Sequence, residues 1–261
     1  MNFKYYGGLI ILAFALTLSA DAQTPERGGA DEVRTAFLIT RPKGKRVRPR
    51  SPGPLGLGYT IYQRDADERP VRVTASQEFR QGDAIRLMIE SNTDGYLYVF
   101  HAENGQNQRM IFPDPRLNGG LNRVTAHVPY EVPSSREANP KFRWFHFDDR
   151  AAMERLYLVV TRRPLPGVLI GGALVDHCRS TPESCPSKPT DLTWNRIEAG
   201  AETATLISQA QTTGQEQTAV EREAITRGLG LPSGAPAPSV VKLSSSAKTT
   251  LLTVAVEVVH K

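Results

Sequence analysis

Catalytic and metal chemistry have few handles in this chain. Cysteine occurs only twice, at Cys178 and Cys185. Histidine occurs five times, at His101, His127, His146, His177 and His260, with none paired at metal-ligand spacing. No G-x-S-x-G turn is present, and neither Ser134-Ser135 nor Ser244 to Ser246 has the setting of a hydrolase nucleophile. No catalytic residue, metal site or cofactor is therefore expected. Past the first two dozen residues, no apolar run is long enough to span a membrane.

What the chain has at its start is a leader. Lys4 supplies a positive charge, Gly7 to Leu18 is apolar apart from Thr17, and Ala20-Asp21-Ala22 offers small residues at a cleavage site. The apolar run is about a dozen residues, against the roughly 20 of a membrane anchor. Residues 1–22 are read as a signal peptide, which makes the mature protein secreted or periplasmic.

The net charge of +5 is concentrated in one place. Arg41, Lys43, Lys45, Arg46, Arg48 and Arg50 lie within ten residues that hold no acid. Without them the rest of the mature chain sits at about −1. Pro42, Pro49, Pro52 and Pro54 exclude a regular helix there. Residues 23–56 are read as a flexible basic arm, with Val33 to Ile39 its one short ordered piece. The six cations form an electrostatic tether suited to an anionic envelope polymer or headgroups. Nucleic acid is a poor partner, because no aromatic interleaves the charges for base stacking.

From Leu57 short alternating segments separated by turn signals predict an antiparallel β-sandwich. In Ile85 to Glu90 the apolar Ile85, Leu87 and Ile89 alternate with Arg86, Met88 and Glu90. Asn92 to Gly95 and Asn104-Gly105 read as turns around a strand at Tyr96 to His101. Phe142 to Phe147, FRWFHF, is aromatic on both faces and is expected to be a well-buried strand. Asp148 to Met153 reads as a helical turn, and Arg155 to Thr161 as a central strand.

Residues 165–248 then read as an insertion, partly helical and partly disordered. A strand is expected within Leu165 to Val175, helices at Ala201 to Ala210 and Gln215 to Thr226, and a linker from Leu231 to Ala247. Cys178 and Cys185 are expected to form a local disulfide, worth about 2–3 kcal/mol for so short a loop. Thr249 to His260 is the most β-prone segment, with Leu252, Val254, Val256 and Val258 in phase. It is expected to return to the main sheet; the alternative is pairing with a second copy.

Several motifs carry a resemblance. They are Gly82-Asp83, NTDGYLYVFH (Asn92 to His101), Asn104-Gly105 and IFPD (Ile111 to Asp114). Asn122 to Val124, Val132-Pro133 and ERLYLVVTRRPL (Glu154 to Leu165) complete the series. Together they resemble a bacterial domain-of-unknown-function family of exported or membrane-tethered proteins, attached in some architectures to caspase-like or protein-kinase modules. The resemblance spans about a third to a half of the chain. It implies a compact β-sandwich-like fold and an accessory role, and no activity.

Tyr96, Tyr98 and Trp144 are the candidate ligand-binding residues, as a stacking platform for a sugar or peptide, although sheet cores use the same side chains. The leading expectation is a non-enzymatic interaction module that binds a protein or envelope polymer. The alternative is a glycan-binding or glycan-cleaving protein that pairs exposed aromatics with carboxylates drawn from Asp94, Asp114, Asp148, Asp149 and Glu154.

Overall fold

The computed structural model describes residues 27–41, 53–186, 188–202, 206–210 and 212–261. The leader at 1–22 and the basic residues Lys43, Lys45, Arg46, Arg48 and Arg50 lie outside these. The described chain opens with helix α1 (Arg27–Leu38). Strands β1 (Gly56–Arg64), β2 (Pro70–Val73), β3 (Glu78–Phe79), β4 (Ala84–Ser91), β5 (Gly95–Glu103) and β6 (Gln106–Phe112) follow. Next come β7 (Arg123–Val124), β8 (Tyr130–Val132), β9 (Phe145–His146) and β10 (Ala152–Thr161). Helices α2 (Gly171–Ser180) and α3 (Asp191–Glu202) lead to β11 (Leu206–Gln209). Helix α4 (Ala219–Arg227), β12 (Val240–Leu243) and β13 (Leu251–His260) close the fold.

The strands form two sheets. One runs β11-β12-β1-β4-β8, with β2 on β1 and β9 on β4; the other runs β3-β13-β10-β5-β6, with β7 on β5. Every pairing is antiparallel except the short β3–β13 contact. The protein is mainly β, with the sheets stacked as a sandwich. Alternation explains the shared core. Leu57, Tyr59 and Ile61 of β1 and Ile85, Leu87 and Ile89 of β4 face Leu156, Leu158 and Val160 of β10 and Leu252, Val254 and Val256 of β13. Burial of each such aliphatic side chain stabilises by about 1.5–3 kcal/mol. β13 runs in ten consecutive pairs along β10, inside the second sheet.

Two turns show different uses of glycine. Asn104 and Gly105 both have positive φ, 50° and 73°, as the tight β5–β6 hairpin requires. Gly95 does not. There a Cβ would come within 2.3 Å of the Thr161 carbonyl oxygen, so close strand approach demands the missing side chain.

The outer faces of both sheets are covered as well. Tyr98, Phe100, Tyr157 and Val159 are buried beneath Leu174 of α2 and Trp194 and Ile197 of α3. On the other side α1 lays Val33 and Phe37 on Val241 and Leu243 of β12. Helix α4 begins with a capping box between Thr218 and Glu221. The same Glu221 carboxylate is buried against Arg72 and accepts from the Tyr62 hydroxyl at 3.1 Å.

Several expectations are corrected. The N-terminal part of the expected arm is helix α1, docked rather than loose, because its apolar face fits the outer face of β12. FRWFHF is not a buried strand. Pro140–Phe142 forms a turn capped by the Asn139 side chain, only Phe145–His146 pairs with β4, and Phe142 is 46% exposed. Residues 148–151 are irregular, with Asp148 accepting from the Arg150 N–H at 2.9 Å, and β10 begins at Ala152. In the insertion, the strand expected within 165–175 gives way to α2, whose buried Leu174 packs on the second sheet. The helix expected to Ala210 ends at Glu202, and β11 follows. The expected linker contains β12, which pairs with β1 through Val241 and Lys242.

Candidate functional site

Strand β6 ends the second sheet and β8 ends the first, so the sandwich opens along one side between two sheet edges. Among the described residues β6 pairs only with β5, leaving its other edge with free N–H and C=O groups. Such an edge is a template for another extended chain. Its Gln106, Asn107 and Arg109 are exposed.

Beside this edge lies a groove of about 590 Å³. The β6 wall supplies Ile111, Phe112 and Pro113; the opposite wall supplies Val132, Pro133 and Trp144. One end is closed by Val175 and the Cys178–Cys185 disulfide, so the helical insertion completes a cleft made by the sandwich. A smaller cavity of about 180 Å³ shares Arg109, Ile111 and Phe145 with the groove. It extends the open seam toward His101, Glu154 and His260.

Charged groups in the groove and beneath its Trp144 wall are mostly spoken for. Arg86 stacks over Trp144, its guanidinium 4.1 Å from the ring centre, and faces Glu131 at 3.5 Å. Burial lowers the Arg86 pKa, and Glu131 counters that. Glu131 in turn accepts from the Gln217 side chain at 2.9 Å. Arg116 lies over Phe142 at 4.3 Å and donates from Nε to Asp114 at 2.9 Å, a hydrogen bond that raises its pKa. Arg109 makes no ion pair with any described residue. The groove thus offers aromatic and proline surface, one uncommitted cation and a free strand edge.

The second cavity is more polar. His101 hydrogen-bonds Glu154, and His260 Nε2 donates to the Asp148 carbonyl at 2.9 Å. His146 has its pKa lowered, first by burial and then by Arg64. Glu154 and Asp148 are already engaged, by His101 and Arg150 respectively. Among the described residues no group of three or more His, Cys, Asp or Glu side chains is arranged to hold a metal ion.

The sequence-predicted residues do not converge. Tyr98 is wholly buried under the helical layer, where its hydroxyl accepts from the Leu165 N–H at 2.9 Å. Tyr96 packs half-buried against the same cluster. Of the three predicted aromatics only Trp144 lines the groove, together with the candidate carboxylate Asp114, which Arg116 already holds. The expected disulfide between Cys178 and Cys185 is present. Arg41 is not part of a solvated tether: it is 2% exposed and paired with Glu90. Such burial is tolerable because the carboxylate and the Ala235 and Pro236 carbonyls satisfy its donors. Sequence reasoning missed Arg109, and Pro113 and Pro133 entered it only within the IFPD and Val132-Pro133 motifs. Among the described residues no helix is long and apolar enough to cross a membrane.

No curated protein and no solved structure matches this chain. Both long walls of the groove fall in one stretch, whereas Val175 and the disulfide lie beyond it. That stretch, residues 78–164, matches the family model described as a domain of unknown function (DUF4384).

Proposed function

We propose that this chain is a non-enzymatic binding module, secreted or periplasmic, that holds an extended segment of a partner protein in the seam between its sheets. The partner strand adds to β6 and sends alternate side chains into the groove. Apolar or aromatic side chains fill the space between Phe112, Trp144 and Pro133, and a carboxylate meets Arg109. One observation carries this reading: an unpaired strand edge runs beside an apolar, aromatic-lined cleft. Main-chain pairing supplies affinity in such complexes and the side pockets supply selectivity. The five basic residues from Lys43 to Arg50 add a salt-sensitive attraction to an anionic envelope polymer, about 1 kcal/mol each near a charged surface.

The rival reading, a glycan-active protein, has less to stand on. Tyr98 is buried, and Asp148 and Glu154 each have a partner already.

Selection from a library of random linear peptides, displayed against the oxidised protein, tests the proposal. Peptides with alternating apolar positions and an acid should be enriched, and Phe142→Ala with Arg109→Glu should abolish their binding while the fold persists. No enrichment, or enrichment that survives both substitutions, would overturn it.

A further inference from the structure

Four lysine or arginine side chains are buried among the described residues: Arg41, Arg72, Arg86 and Lys242. The three arginines each face a carboxylate, namely Glu90, Glu221 and Glu131. Lys242 faces none among the described residues. It is 5% exposed, and its Nζ donates only to the main-chain carbonyls of Thr253, at 2.9 Å, and Ala201, at 3.4 Å. Two carbonyls occupy two of its three donors and leave its charge without a counter-ion among the described residues. Lysine is almost never so buried unless it is paired.

Its position on β12 explains the direction it takes. Val241 and Leu243 pack outward against α1, so Lys242 between them turns into the gap between the sheets. This is the seam opposite the β6 groove. There it lines a cavity of about 420 Å³, within the range of small-molecule sites. One part of the wall is apolar, with Ile61, Val73 and Val254. The rest carries hydroxyls: Thr212 and Ser239 hydrogen-bond one another at 2.9 Å, and the Tyr59 side-chain hydroxyl has no hydrogen-bond partner among the described residues. Burial holds the Lys242 pKa below the ordinary lysine value, as expected of an ammonium without a counter-ion.

We propose that this cavity binds a small organic carboxylate, its anionic end received by Lys242 and the neighbouring hydroxyls, its apolar body lying against Ile61, Val73 and Val254. A single cation with one remaining donor suits a monoanion. A phosphate dianion calls for the denser cation cluster that is missing here. The site is independent of the β6 groove and stands or falls without it.

The test is an NMR titration of the full-length protein with hexanoate and, as a neutral isostere, hexanamide. Hexanoate should shift β12 amides saturably and bind at least about tenfold more tightly than hexanamide. A folded Lys242→Met variant should lose at least about tenfold in hexanoate affinity and none for hexanamide. Absence of a saturable shift around β12, or equal affinities for acid and amide in the wild type, would overturn the proposal. That wild-type comparison decides the matter even where Lys242→Met fails to fold.

Discussion

The Arg41 guanidinium closes on Glu90 at two points, with Nε 2.9 Å from Oε1 and Nη2 2.7 Å from Oε2, and both side chains are shut off from solvent. His127 Nδ1 reaches the same carboxylate at 2.7 Å, and its Nε2 meets the Thr40 hydroxyl at 2.7 Å. The residues just after α1 are thereby latched to β4. Breaking one side of such a pair strands a buried charge. Arg41→Met alone should cost about 3–5 kcal/mol, and the double substitution Arg41→Met with Glu90→Leu should cost less than Glu90→Leu alone. Urea melts of the three variants check this. A single Arg41→Met variant as stable as wild type would remove the latch.

Tyr98 and Phe142 make a second contrast, between a core aromatic and a groove aromatic. Tyr98→Ala should destabilise by about 3–5 kcal/mol, and Tyr98→Phe by about 1 kcal/mol for the lost bond to Leu165. Phe142, 46% exposed, should tolerate alanine within about 0.5 kcal/mol while peptide binding falls. Thermal melts beside binding titrations separate the two. A Tyr98→Ala protein that melts like wild type would contradict the buried assignment.

Alkaline pH should unfold the protein cooperatively. Burial pushes Tyr59 up to about 12 and raises Tyr62, Tyr98 and Tyr130 as well. Unfolded tyrosine titrates near about 10. Above that pH the folded state retains protons that the unfolded state has lost, so stability falls as pH rises from 10 toward 12. Lys242 is shifted the other way and contributes a rise up to the unfolded lysine value, one group against four tyrosines. The part of the tyrosinate absorbance that belongs to the shifted side chains should rise in one step with the loss of circular dichroism. Gradual ionisation of Tyr59, Tyr62 and Tyr98 in a folded protein, followed residue by residue, would contradict the burial of these side chains.

The disulfide should matter more to the groove than to the sandwich. Cys178 and Cys185 are seven residues apart, so their bond constrains only a local loop, worth about 2–3 kcal/mol. Replacing both by serine should leave the β signal in circular dichroism unchanged and weaken peptide binding, because that loop walls one end of the cleft. Equal peptide affinity with and without the disulfide would detach the insertion from the site.

Much of the sandwich was legible because its signals are local. Ile85, Leu87 and Ile89 alternate with Arg86, Met88 and Glu90, Asn104-Gly105 dictates a hairpin, and the in-phase valines of β13 demand a sheet partner. Long-range pairing was not legible. Nothing beside Arg41 in the chain announces that Glu90, 49 positions later, will take it out of the basic run. The outer layers hid for a similar reason: Arg86, Met88 and Glu90 look solvent-facing until α1 and the α4 region cover them. FRWFHF misled because Pro140 and Asn139 turn the chain before a strand can form. Of the candidate site Trp144, Asp114 and the local disulfide were legible one by one, but not that they border one groove. The groove is built from Phe112, Pro113, Val132 and Pro133, which alone say only that strands end there. Lys242 did leave a trace, a lysine inside the otherwise apolar VVKL, but its proline-rich and serine-rich surroundings read as linker.

Strand addition at β6 is the claim on which the functional account turns. Amide hydrogen exchange, measured with and without saturating selected peptide, reports on it directly. Exchange should slow most across Gln106–Phe112, with smaller changes at Val132 and Trp144 and none on the helical layer over Tyr98. A peptide that binds tightly yet leaves exchange in β6 untouched would contradict the account.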